Sequence, residues 1–222
     1  YKRQILYSFR RCPYAIRARM ILDLCSIDFC LREVALSNKP KEMLKASPKG
    51  TVPILILPQK KVLDESMDIV FWALKKTSKT DKKFLEWLDE DLYGRSMQLI
   101  DENDNKFKVL LDKYKYCRDK KLAVKYRQEA ESFLYRLNEL LSNQLGLCKN
   151  EITFSDICIF PFVRQFAFVD YEWFLNCQLD NLNDWLQKFL NSELFKKVMQ
   201  KHAIYAVSYT HLRAHGHSDI SY

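Results

Sequence analysis

Histidine is nearly missing from this chain. Its four copies are His202, His211, His215 and His217, so the first two hundred residues hold none. A Cys–His or Ser–His pair in the body of the fold is thereby excluded, and a nucleophile there needs another source of activation. The chain also lacks a C-x-x-C pair and any grouping spaced like a zinc site, although it carries seven cysteines, an odd number. No apolar run approaches the length needed to cross a bilayer. No N-terminal apolar stretch reads as a secretory signal. Free thiols in this number are expected in a reducing compartment, the cytoplasm. Cys25, Cys30, Cys158 and Cys177 sit among apolar neighbours and read as small core residues.

What is present suits a folded chain. Of the 222 residues, 48% are hydrophobic, 14% aromatic and 29% charged, which gives ample core and argues against disorder. The formal net charge is +8, yet Lys and Arg are interspersed with Asp and Glu, and basic groupings such as Lys75-Lys76 and Lys82-Lys83 are short. Neither nucleic acid nor a membrane surface is the expected partner, and an anionic small molecule fits the same excess.

The first third alternates strand and helix signals. Gln4 to Ser8 reads as a strand, and Cys12-Pro13 opens a helix whose buried stripe is Ile16, Met20, Ile21 and Leu24. Phe29 to Val34 follows as a strand and Pro40 to Ala46 as a short helix. Pro53 to Leu57 and Lys61 to Leu63 pair around the turn Pro58-Gln59-Lys60, and Ser66 starts a helix with Ile69, Val70, Ala73 and Leu74 inward. That order predicts an α/β layer of thioredoxin type over residues 1–76. The polar stretch 77–81 reads as a linker, and 82–207 as an all-helical domain. Its stripes are Phe84, Leu85, Leu88 and Leu92, then Tyr126 to Leu141, then Leu182 to Leu190. Thr153-Phe154-Ser155-Asp156 is a T-x-x-D capping box flanked by the staple Ile152 and Ile157, a signal for folding. Residues 208–222 have no helical or strand period and are expected to be a non-native or disordered tail.

Cys12 follows a strand and immediately precedes a helix. Its sulfur is expected to face the partial positive charge of the helix N-terminus, with Arg10 and Arg11 adding charge, an arrangement that lowers a thiol pKa. An inert buried cysteine is the bland alternative. The position where a dithiol enzyme carries its second cysteine holds Ala15, so Cys12 forms mixed disulfides with external thiols only, which calls for a thiol cosubstrate.

The run Ile5-Leu6-Tyr7-Ser8-Phe9-Arg10-Arg11-Cys12-Pro13-Tyr14-Ala15, followed by Arg17-Ala18-Arg19-Met20-Ile21-Leu22, resembles the start of cysteine-type, omega-like glutathione transferases. Asp64-Glu65-Ser66-Met67-Asp68-Ile69-Val70 is similar to the matching segment of two-domain bacterial glutaredoxins. The resemblance is dense over the first third of the chain and architectural beyond it. It implies an α/β thioredoxin-like N-terminal domain, an all-α C-terminal domain and a glutathione site with no metal.

Carried over residue by residue, Thr51-Val52-Pro53 matches the family's V-P with a cis proline, whose Val52 backbone would pair with the peptide. Glu65 and Ser66 match the pair binding the γ-glutamyl end, Lys39 a lysine reaching the glycyl end, and Tyr14 an aromatic that closes over the ligand. Each has a plain alternative: a helix start for Glu65-Ser66, the start of a strand for Thr51-Val52-Pro53, a solvated Lys39, a packing Tyr14.

Three functions follow. In the first, Cys12 transfers glutathione between thiols on a small-molecule or protein substrate. In the second, Tyr7 holds the glutathione thiolate for conjugation to electrophiles. The third is a non-catalytic binding module. An acceptor pocket is expected between the domains, lined by Trp87, Asp91 and Arg95. A homodimer is compatible with the family, as is a monomer.

Overall fold

A computed structural model describes residues 3–206; the tail predicted over 208–222 lies outside the described residues. The first strand, β1 (Gln4–Ser8), is buried along its length. Its alternation decides the layering. Leu6 faces one side with Leu55, under α1 (Pro13–Leu24) and α3 (Ser66–Thr77). Ile5 and Tyr7 face the other with Val34, Ile54 and Met43 of α2 (Lys41–Ala46). β1 pairs in parallel with β2 (Phe29–Glu33) through the α1 crossover. It pairs antiparallel with β3 (Ile54–Ile56), which pairs antiparallel with β4 (Val62–Leu63). The four-stranded order is β2-β1-β3-β4, with helices on both faces: the predicted thioredoxin-type layer.

The remaining elements are helical. They are α4 (Lys82–Glu86), α5 (Glu90–Glu102), a π-helical turn (Asn103–Phe107), α6 (Lys108–Tyr116), α7 (Lys120–Leu140), α8 (Phe154–Ala167), α9 (Tyr171–Asn176), α10 (Asp180–Asn191) and α11 (Glu193–Val198). Among the described residues no helix is long and apolar enough to cross a membrane.

Two local expectations are corrected. The stripe Phe84, Leu85, Leu88, Leu92 is broken between α4 and α5, and Leu85 is 58% exposed. The cause is Asp89, which caps α5 by accepting from Asp91 N–H and so ends one helix to begin another. Cys30 is exposed on the edge strand β2 and Cys177 is half-buried, whereas Cys25 and Cys158 are buried.

α8 is buried on nearly every side and is the wall against which α1 packs. Its start is the capping box read from sequence. Thr153 N–H donates to Asp156 Oδ2 at 2.9 Å, and Thr153 Oγ1 lies 2.8 Å from Ser155 Oγ. Asp156 does more than cap. It also accepts from Leu147 N–H at 2.9 Å and from Trp185 Nε1–H at 2.9 Å, which ties α10 and the preceding loop to the same carboxylate. Burial holds its pKa up to about 6 despite these donors. Replacing Asp156 by Ala leaves these N–H groups buried and unpaired, so Asp156→Ala is expected to cost about 4 kcal/mol of stability, read as a lower urea midpoint with unchanged slope. A loss under about 1 kcal/mol would show that the carboxylate is dispensable.

Candidate active site

Cys12 sits at the N-cap of α1 in extended conformation, with Pro13 as the first helical residue. Its own N–H donates to Phe9 O at 3.0 Å, which closes the turn from β1. The Sγ–H points to Val52 O at 3.7 Å. The Val52–Pro53 peptide is cis, as the resemblance implied. Gly50 precedes this turn at φ +62°, and a Cβ there would lie 3.1 Å from Leu44 Cδ2.

A cleft of about 1400 Å³ opens over Cys12. Its walls include every residue the sequence proposed for glutathione: Cys12, Tyr14, Lys39, Val52, Pro53, Glu65 and Ser66. Five segments far apart in the chain therefore meet in one place. Glu65 is the N-cap of α3, and its Oε1 accepts from Lys49 Nζ at 2.6 Å. Lys49 also reaches Asp64 Oδ1 at 3.4 Å, and Asp64 Oδ2 accepts from Ser47 Oγ at 2.7 Å. Asp64 and Lys49 were not proposed from sequence; a mixed-sign pair beside Glu65 carries no periodic signal.

Beneath the cleft lies Arg17, fully buried. It donates to Asp104 Oδ1 and Oδ2 at 2.6 and 2.8 Å, to Ser66 Oγ at 3.1 Å and to Cys158 O at 3.0 Å. Because Ser66 Oγ accepts from Arg17, its own proton stays available to a ligand carboxylate, beside the first N–H groups of α3. Asp104 belongs to the π-helical turn, which also brings Asn105 to the cleft and leads into Lys108. π turns are frequent at functional sites, but composition does not announce them.

The charge around Cys12 differs from the sequence expectation. Arg10 and Arg11 are not the cations that act on it. Arg19, 2% exposed, and Lys108 are. Arg19 hydrogen-bonds Arg10 O at 2.7 Å and Val198 O at 2.9 Å, and burial pulls its pKa down to about 10. The Cys12 thiol itself is raised, not lowered. Burial pushes it up, and the backbone amides of Ala15 and Tyr14 pull it down by less, with help from Arg19 and Lys108. In the ligand-free chain the thiol keeps its proton and gives it to Val52 O.

Tyr14 packs edge-on against Phe162 with ring centroids 4.9 Å apart, and burial pushes its phenol up to about 12. Both the packing and the ligand-closing readings have a basis, since it also lines the cleft. The rival residue Tyr7 is fully buried on the far face of the sheet, accepts from Arg32 Nη1 at 2.6 Å and does not line the cleft. The expected acceptor lining is likewise corrected. Trp87 is 1% exposed and packs on Phe84 and Phe154. Asp91 and Arg95 border a separate depression with Lys149. The main cleft is instead extended by Asn105, Lys108, Asp112, Lys115, Tyr116, Arg164, Gln165 and Phe168.

Comparison with known proteins agrees with this geometry. The family model for the glutathione S-transferase N-terminal domain matches residues 11–75, and that for its C-terminal domain matches residues 86–188. The chain is 23% identical to glutathione S-transferase omega-1 of Rattus norvegicus over 199 residues, covering 88% of this chain and 76% of that one. It is 28% identical to glutaredoxin 2 of Escherichia coli K12 over 190 residues, covering 74% and 85%. A shorter match, 38% over 65 residues, joins it to pyrimidodiazepine synthase of Drosophila melanogaster and spans only 27% of that protein. Among solved structures, a glutathione transferase family member from Pseudomonas fluorescens, with two glutathione bound, superposes with a TM-score of 0.74 at 17% identity, over 89% of this chain and 92% of that one.

The balance at Cys12 is directly measurable. Only the thiolate reacts with iodoacetamide, and the raised pKa leaves little thiolate at neutral pH. Alkylation of Cys12 in the ligand-free protein, followed by peptide mass spectrometry, is expected to climb about tenfold per pH unit from pH 7 to 9 with no plateau. Lys108→Met is expected to slow it a further few-fold at pH 8. A plateau below pH 8 would mean that the helix end outweighs burial.

Proposed function

The chain belongs to the glutathione S-transferase family, and from that premise we propose that it is a glutathione-dependent thiol transferase acting through Cys12. The observation that carries this reading is the convergence of Cys12, Tyr14, Lys39, Val52, Pro53, Glu65 and Ser66 on one cleft. The similarity to glutaredoxin 2 and to omega-1 supports it.

The groups assign themselves by charge. Glu65 meets the ammonium of the γ-glutamyl arm, in exchange for part of its contact with Lys49. The Ser66 hydroxyl and the α3 N-terminus meet the carboxylate beside that ammonium. Lys39 meets the glycyl carboxylate, and the Val52 backbone pairs with the cysteinyl unit. This places the glutathione sulfur at Cys12.

Cys12 thiolate then attacks the glutathione sulfur of a mixed disulfide. A Cys12–glutathione disulfide forms, and the acceptor thiolate leaves with the bonding pair and takes a proton from solvent. A second glutathione thiolate attacks the bound glutathione sulfur, releasing oxidised glutathione and restoring Cys12 thiolate. Val52 O holds the resting proton, and the amides of Ala15 and Tyr14 with Lys108 and Arg19 face the thiolate once it forms.

Cys12→Ser is expected to cut turnover of glutathionylated substrates at least about a hundredfold and to abolish the glutathionyl mass gain at position 12 after treatment with oxidised glutathione. Glu65→Gln and Lys39→Met are each expected to raise the KM for glutathione about tenfold with kcat changed by less. Turnover untouched by Cys12→Ser would refute the assignment. Absence of any saturable glutathione binding would point to a binding module without catalysis.

A further inference from the structure

The reaction as proposed uses the sheet side of the cleft and leaves the α8 side without a task. Arg164 and Gln165 line the cleft there, and Phe168 follows one turn on. The Arg164 guanidinium stacks on Phe168, 5.0 Å from the ring centroid, and on Phe195 at 5.4 Å. Stacking fixes its plane without neutralising its charge. Its Nε and the Gln165 Oε1 are shut off from solvent and find no hydrogen-bond partner. Arg164 forms no ion pair among the described residues, and the charge that acts on it is another cation, Arg10, which with burial holds its pKa below the arginine range. A buried donor and a buried acceptor left unmade on adjacent residues are costly, and native folds rarely keep such groups without a use.

The neighbouring charges do not supply the missing anion. Asp104 is engaged by Arg17, and Asp112 by Lys108. Arg11 and Lys115 lie over Phe9 and Tyr116 and have no ion pair among the described residues. This part of the cleft therefore has surplus positive charge and one unmet acceptor. A ligand arm that carries a carboxylate and an N–H complements both.

We propose that Arg164 and Gln165 form the acceptor subsite and select mixed disulfides whose leaving arm bears a carboxylate next to an amide N–H, as a peptide or acylated amino acid does. The inference rests on the Cys12 reading and refines it by naming the acceptor class. Arg164 takes no part in the electron flow. It holds the arm that departs as thiolate when Cys12 captures the glutathionyl group.

Two substrates isolate this role: the glutathione mixed disulfides of N-acetylcysteine and of N-acetylcysteamine, which differ only in the carboxylate. Each rate is taken relative to uncatalysed exchange with glutathione, which removes any difference between the leaving thiols. The wild-type chain is expected to favour the carboxylate arm about tenfold in kcat/KM, with the preference shrinking at high salt. Arg164→Gln is expected to bring the ratio close to one, and Arg164→Lys to keep part of it. Because the readout is a ratio within one variant, a partly folded preparation does not mimic the result. A wild-type ratio near one, or a ratio that survives Arg164→Gln, overturns the subsite. Failure of the Cys12 reading looks different: neither disulfide turns over, or both turn over in Cys12→Ser.

Discussion

The buried guanidinium of Arg17 is the contact on which the rest of the site depends. It joins α1 to the start of α3 through Ser66, to the π-helical turn through Asp104 and to α8 through Cys158 O. Three helices from separate parts of the chain are thus fixed relative to the helix that presents Cys12. A buried arginine is tolerable only when its charge and its donors are met, and here a bidentate carboxylate, a hydroxyl and a carbonyl meet them. The geometry also polarises the ligand side, since Ser66 is left with a proton to give and no competing acceptor from Arg17.

The second constraint is the competition at Cys12 between the end of a helix and burial. The amides of Ala15 and Tyr14 stabilise the thiolate, and the surrounding protein opposes it more strongly. A nucleophile in this balance is quiet until a ligand places its own charges and donors in the cleft. That behaviour suits a chain with seven free cysteines, in which an ionised thiol at rest would find other partners.

The layer order, the helix starting at Pro13, the α8 capping box and the glutathione-side residues were all legible in the sequence, because each rests on local chemistry: a proline at N1, a T-x-x-D spacing, alternating apolar residues. What stayed hidden depends on distance in the fold. Arg17 and Arg19 fall in a run that reads as an ordinary amphipathic helix, yet both are buried. Trp87 looks like a pocket aromatic by type and is held in the core by Phe84 and Phe154. The charges on Cys12 come from α1's second turn and from α6, not from its chain neighbours Arg10 and Arg11. Counting nearby basic residues along the sequence measures neither direction nor burial.

The π-helical turn explains why the acceptor side resists such reading. It adds one residue to a turn between α5 and α6, which rotates everything after it by about 100° relative to an uninterrupted helix. The regular heptad-like stripe therefore stops predicting which face points inward. That rotation accompanies Asp104 under the cleft and Asn105, Lys108 and Asp112 at its wall. A straight helix through this stretch would keep the apolar stripe of α5 in phase and turn Asp104 away from Arg17, removing the anion that makes a buried guanidinium tolerable. The irregular turn and the buried arginine are thus two halves of one solution. The Cys12 cleft gains its cationic edge at Lys108 as a consequence, because the residue that follows the turn is carried round with it.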